Sequence, residues 1–369
     1  MALFTDISPD PEPRPRRRWI GWTILGIGLA GLLVVTLVPA PFVIEQPGPV
    51  YDTLGDVSID GAEVPMIQIP DEKTFPTGGS LDMLTVSIRG NRQELPSWFE
   101  IASAYLDPSK AVVPVDLIYP AGVSLDDSNN QGQVDMANSQ KEAIAAALTE
   151  LGYTFASTVT VVEASQGSPS AGVLEAGDVL LRVNGATFAD VTGLRSEIAA
   201  NGVDRAAVID ITRSGKPETV SITPTLSDGD SPAPIIGIIA GGDYDFPINV
   251  KIQLENVGGP SAGMMFALGI IDKLTEGKLN GGEIVAGTGT ISGSGEVGPI
   301  GGIQQKLYGA RNAGADWFLA PKSNCGEVTG HIPDGLTVFA IATLDDALAA
   351  LTAIESGAST STLPACPVR

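Results

Sequence analysis

The sequence predicts an α+β, multidomain protein with a single N-terminal transmembrane helix, and three observations lead there. One uncharged run of twenty residues stands behind an arginine cluster. Short apolar alternations broken by glycine and proline come next, the pattern of short strands and tight turns. Late in the chain, two glycine-rich segments each lead into an apolar helical stretch. At 369 residues the chain exceeds one core, since single cores stop growing near ~250–300 residues.

Residues 1–18 form a basic tail holding Arg14, Arg16, Arg17 and Arg18. Residues 19–38 read WIGWTILGIGLAGLLVVTLV, which at ~1.5 Å per residue spans roughly the 30 Å of a bilayer core. Trp19 and Trp22 suit the interface, and the arginines keep the tail cytoplasmic, so the chain beyond Pro39 lies outside the membrane. The rival is a cleaved signal peptide. The apolar run exceeds the ~7–15 residues of a signal core, and the prolines of Val38-Pro39-Ala40-Pro41 spoil a cleavage site.

Residues 41–153 read as a β-rich region, with alternations such as Val64–Ile69 and Met83–Ile88. A polar stretch from Asp126 to Gln133 then precedes an alanine-rich helix near 139–151. Residues 154–225 form a compact unit: a strand at Thr158–Val162, another at Val179–Val183, and the hairpin signal Asn184-Gly185. Thr192 is placed to cap a helix running to Asn201. Residues 233–352 form a third unit, and 353–369 a C-terminal tail.

Hydrophobic residues make up 43% and charged residues 17% of the chain, which excludes wholesale disorder. The formal net charge is −22; a field of that sign repels phosphate backbones, so nucleic acid is not an expected partner. Two cysteines, Cys325 and Cys366, and one histidine, His331, cannot build a metal site. No metal or other cofactor is expected. The cysteines pair in an oxidising compartment or stay as two thiols.

Lys251–Val257 alternates like a strand and runs into Gly258-Gly259-Pro260-Ser261-Ala262-Gly263, followed by the apolar stretch Met264–Leu274. Ser261 therefore sits where a strand turns into a helix, among glycines that admit a substrate backbone. Backbone amides at such a helix start are natural oxyanion donors. A plain glycine-rich helix entry would read the same. Gly259-x-Ser261-x-Gly263 also fits the nucleophile elbow of α/β-hydrolases. That fold needs a histidine base, and only His331 is present, with Asp316 or Asp334 as poor orienters.

A serine without histidine can use a desolvated lysine. The Ser-x-x-Lys pattern is absent, whereas Gly298-Pro299-Ile300-Gly301-Gly302 leads into a helix near Ile303 that carries Lys306 in its first turns. Uncharged neighbours and the helix N-terminus both depress its pKa. Taken alone, Lys306 could equally be a surface lysine.

Together the segments GGPSAGMMFALGIIDKL and GTGTISGSGEVGPIGGIQQKLYGARNAGADWFLAP resemble the proteolytic domain of Lon proteases. The serine-to-lysine interval of 45 residues fits that family. The run SPSAGVLEAGDVLLRVNGATF resembles the PDZ domains attached to bacterial proteases, although no clear Gly-Leu-Gly-Phe-like carboxylate loop is evident. A PDZ-like unit before a Lon-type domain, behind one anchor, looks like the Lon-like proteases known as the YlbL family.

The resemblance implies a serine-type endopeptidase with Ser261 as nucleophile, Lys306 as general base and Thr288 orienting the lysine. It also implies that the backbone amides of Gly259, Ser261 and Ala262, around Pro260, hold the oxyanion. It implies polypeptide substrates and a homo-oligomer, a hexameric ring by analogy. Gly258 and Thr290 stand where ATP-dependent Lon proteins carry acidic residues. No Gly-x4-Gly-Lys-[Ser/Thr] occurs, so ATP independence is expected. The rival is a PDZ-based scaffold protein with an inactive Lon-like domain.

Overall fold

The computed structural model describes residues 16–120, 122, 124–227 and 232–367. The expected cytoplasmic tail up to residue 15 lies outside them. In chain order, α1 (Arg16–Leu37) is followed by β1 (Phe42–Asp52), β2 (Ser80–Arg89), α2 (Trp98–Ala104), β3 (Ala111–Pro114) and the long α3 (Leu125–Glu150). Next come β4 (Ser157–Ala164), β5 (Val179–Val183), α4 (Val191–Asn201), β6 (Ala207–Arg213), β7 (Lys216–Ile222) and β8 (Ile238–Tyr244). The last part holds α5 (Gly263–Leu274), β9 (Ile284–Gly287), α6 (Ile303–Asn312), β10 (Trp317–Pro321), β11 (Thr337–Ile341) and α7 (Leu344–Ser356).

α1 is long and apolar enough to cross a membrane. Among its described side chains none of the large ones is buried in the protein; Trp19 is 78% and Leu37 70% exposed.

A six-stranded mixed sheet runs β11-β10-β9-β2-β1-β3. Its centre joins strands far apart in sequence: β2 pairs in parallel with β9 and antiparallel with β1. Strands from residues 42–114 and from residues 284–341 thus share one sheet, with α5 buried against it from Gly263 to Asp272 beside α3, Met264 through Ile270 forming the centre of the core. The sequential division 41–153, 154–225 and 233–352 gives way to an insertion. A five-stranded antiparallel path, β7-β6-β5-β4-β8, interrupts the larger unit between α3 and α5. β8 falls in the stretch assigned from sequence to the third unit, yet it pairs with β4 from Ile238↔Ala164 to Tyr244↔Ser157. The insert has its own core of Val159, Leu180, Leu194, Ile198, Ile209 and Ile222.

α3 starts well before residue 139. Ser124 caps it, accepting from Asp127 N at 3.1 Å, and Asp126 and Asp127 suit the positive end of the helix dipole. Its polar first half packs little, and its alanine-rich second half is buried, so only the latter carried an apolar signal. α4 is capped by Asp190, which accepts from Gly193 N at 2.6 Å. Thr192, the expected cap, lies inside the helix and donates to Glu142 of α3 instead.

Cys325 and Cys366 are bonded across a separation of 41 residues. The tail folds back on the sheet: Ala340 N donates to Pro364 O at 2.9 Å, and Cys366 is buried beside Val338 and Phe318. Closing a loop of this size restricts the unfolded chain. Cys366→Ser should lower unfolding stability by ~2–4 kcal/mol, measured as an earlier denaturant midpoint with a somewhat steeper slope, because the freed unfolded chain exposes more surface.

Candidate active site

The loop before α5 is held from three directions. Gly259 N donates to Gly132 O of α3 at 2.8 Å, and Ser139 Oγ, also on α3, donates to Pro260 O at 2.9 Å. The Ser261 carbonyl accepts from Gly289 N and from Thr288 Oγ1, both at 2.9 Å. Gly263 lets α5 start this close to its neighbours. A Cβ there would lie 2.9 Å from both Ile291 Cγ2 and Ser139 Oγ.

α6 brings Lys306 to the same point. Gly302, at φ +66°, makes the left-handed turn that starts the helix, and a Cβ on it would meet Val86 Cγ2 at 2.6 Å. Lys306 is 2% exposed. Its Nζ lies 2.8 Å from Ser261 Oγ and 2.9 Å from Thr288 Oγ1. Burial pushes the ammonium down from 10.5 to about 7. No carboxylate faces it to oppose that shift; Gly258 and Thr290 stand where the family pattern has acids. With burial unopposed, the free amine is favoured near neutral pH.

Ser261, Lys306 and Thr288 therefore meet as one constellation. His331 is exposed and outside this cleft, so the elbow reading has no base. Gly259 N, expected to face an oxyanion, is occupied by Gly132 O. Among the described residues, Ser261 N and Ala262 N have no backbone acceptor. The cleft, about 500 Å³, lies between Leu84–Ser87 of β2 and Asn256–Ala262, with Tyr51, Met83 and Met136 below. β9 pairs with β2 only as far as Met83, which leaves the β2 edge beside Ser261 open.

Sequence reasoning missed Gly132 and Ser139, which lie more than a hundred residues upstream in a stretch with no chemical motif. It also missed a groove of about 280 Å³ on the insert, lined by Val191, Leu194, Ile198, Ile236 and Ile238. Ile236-Gly237-Ile238 leading into a strand was the available signal, but it falls beyond residue 225. α3 reaches this groove as well. Asn138 Nδ2 donates to Ala240 O and Lys141 Nζ to Gly242 O, each at 2.8 Å. These alternate carbonyls point off the free edge of β8. Glu142 sits behind them, its carboxyl pushed up to about 7 by burial and by Asp190.

Residues 255–353 match the model of the Lon protease (S16) C-terminal proteolytic domain, and residues 122–223 match that of the PDZ domain. The Lon protease of Lachnoclostridium phytofermentans is 38% identical over 107 residues, covering 28% of this chain and 13% of the relative. Lon protease 2 of Herpetosiphon aurantiacus is 40% identical over 108 residues, 27% of this chain and 13% of the relative. Lon protease 1 of Bacillus subtilis is 36% identical over 108 residues, 28% and 14%. The chain thus spans only about an eighth of the length of these relatives. Among solved structures, the PDZ domain of an SdrC-like protein from Listeria innocua is 30% identical, covering 22% of this chain and 90% of that one, with a TM-score of 0.21. The chain carries a PDZ domain and a C-terminal proteolytic domain of the Lon (S16) family.

Proposed function

We propose that this protein is a membrane-anchored, ATP-independent serine endopeptidase acting outside the cytoplasm through a Ser261–Lys306 dyad. The observation that carries the reading is the 2.8 Å contact between Ser261 Oγ and a buried lysine amine with no acidic partner. In the free-amine form Nζ takes the hydroxyl proton as Oγ attacks the scissile carbonyl. Ser261 N and Ala262 N, at the start of α5, then face the developing oxyanion. The Lys306 ammonium returns its proton to the departing amine, leaving an acyl ester on Ser261. Water, deprotonated by the same lysine, releases the acid and restores the hydroxyl. Thr288 keeps Nζ aimed and fixes the Ser261 carbonyl.

An extended substrate fits the open edge of β2, where backbone pairing selects for unfolded segments rather than sequence. With no nucleotide motif in this chain to drive unfolding, flexible or misfolded extracytoplasmic and membrane proteins are the expected class. The disulfide and the apolar α1 support an extracytoplasmic, anchored domain. The PDZ domain acts as selector. Its groove ends on α3, the helix that also holds the serine loop, so a peptide adding to β8 must displace Asn138 and Lys141.

A fluorophosphonate probe should label the wild-type chain at Ser261 and leave Ser261→Ala unlabelled, and casein should be cleaved without ATP. A folded chain that neither reacts nor cleaves would favour the scaffold reading.

A further inference from the structure

Aromatic residues are scarce here, at 5% of the chain. Outside α1, the exposed tryptophan, phenylalanine and tyrosine side chains among the described residues are Trp98, Phe99 and Tyr105. They belong to α2 and the turn after it, next to Leu106, which is 87% exposed. Trp98 packs one side edge-on against Phe42, ring centroids 6.0 Å apart, and packing does not account for the exposure of Phe99, Tyr105 and Leu106. The inward face of α2 is served by Ile101 and Ala104 against Ala40 and Ile44. A Ser97–Glu100 capping box fixes the start of the helix, so the display is rigid.

Position gives the patch a partner. The chain leaves α1 at Leu37 and is pinned almost at once. Pro39 bridges Ser97, and Ala40 N donates to Pro96 O at 2.8 Å. Three residues reach at most ~10 Å, while the interfacial zone beside the hydrocarbon core is roughly 5–8 Å thick. If α1 spans a bilayer, the start of α2 is held within the headgroup zone or a few Å beyond it. Tryptophan and tyrosine favour that zone. The charges around the patch are already paired, Arg89 with Glu100, Arg92 with Asp116 and Lys110 with Asp107. The contact is therefore apolar and aromatic, with no unpaired cation in these pairs to seek anionic lipid.

We propose that Trp98, Phe99, Tyr105 and Leu106 form a second membrane contact, seated in the interface of the bilayer that α1 crosses. The proposal rests on the anchor reading of α1. It also sets the height of the cleft. β2 runs from the cleft residues Leu84–Ser87 to Arg89, which pairs with Glu100 of α2. At ~3.4 Å per residue the cleft residues lie about 7–17 Å along β2 from Arg89, which stands beside the patch. Chain segments just emerging from the membrane are then the substrates presented best.

The test uses the full-length chain in phosphatidylcholine vesicles whose acyl chains carry bromine near the headgroup end. Trp19→Phe with Trp22→Phe leaves Trp98 and Trp317, the latter half-buried in the sheet. This variant should lose at least about a third of its emission on bromolipid, because indole prefers the interface. Adding Trp98→Phe should abolish the loss, and a fraction of anionic lipid should not change it. A chain altered only at Trp98 reports α1 through Trp19 and Trp22. Quenching there, without quenching of Trp98, overturns the second contact and leaves the anchor standing. Quenching of neither overturns both. Trp98 emission that follows protein concentration instead of bromolipid assigns the patch to a second copy and also overturns the proposal.

Discussion

Lys306→Ala should reduce peptide hydrolysis about 10⁴-fold, the upper range for loss of a general base, and Ser261→Ala by about 10⁶-fold, the scale reached when an acyl-transfer nucleophile is lost. Both should remain folded, because Ser261 is half-exposed and removing Lys306 relieves a buried amine of its desolvation. The wild-type rate should rise with pH through about 7, the value to which burial pushes Lys306, and level off above it. Below that pH the amine is protonated and cannot accept the serine proton. The stability linkage has a definite sign. The unfolded lysine titrates near 10.5, so between 7 and 10.5 the unfolded chain holds the extra proton and folding grows more favourable as pH rises. The penalty for burying the charged form is complete below 7. Lys306→Met should therefore melt later than the wild type at pH 6 while being inactive. A melting temperature equal or lower would contradict the assigned burial cost.

Thr288→Val should cost about 10²-fold in kcat, the lower end of the loss when a positioned polar group leaves an acyl-transfer site, with little change in KM. The substitution keeps the shape and removes a hydroxyl with two tasks. Thr288 Oγ1 accepts from Lys306 Nζ and donates to the Ser261 carbonyl. Hydrogen bonding to the ammonium favours its charged form, so without it the Lys306 pKa falls further. The acid limb of the pH–rate profile should then move to lower pH even as the plateau drops. A merely structural role would lower activity without moving the limb. Thr288→Ser should restore both plateau and limb.

These residues were legible in the sequence because their chemistry imposes local patterns. Ser261 needs small neighbours at a strand–helix junction, and Lys306 needs a glycine turn such as Gly302 before an apolar helix. The partners on α3 leave no such trace. Ser139 is an ordinary polar residue on a helix, and its bond to Pro260 arises only once the chain has folded back over 121 positions. The mixed sheet was hidden for the same reason. β2 and β9 each alternate like any strand, and nothing local says that they pair across about two hundred residues. β8 was misplaced because strand periodicity reports a pleat and not its neighbour. The Asp190 cap was missed in favour of Thr192, where two capping types stood close together.

The PDZ insert also imposes an order of assembly. Its two ends are joined by backbone bonds, Asp245 N donating to Ala156 O at 3.0 Å beside the Tyr244↔Ser157 pair. While the insert is unfolded, bringing α3 to α5 means closing a loop of about 90 residues, at an entropic cost of about 4 kcal/mol. Once the insert folds, its ends already meet and that cost disappears. Gly132 and Ser139 can then hold the serine loop. During refolding, amides of 157–244 should gain exchange protection before those of α5, and the emergence of activity should follow the latter. A nascent chain would thus stay harmless until its PDZ domain has formed, a kinetic safeguard built into the connectivity of the polypeptide.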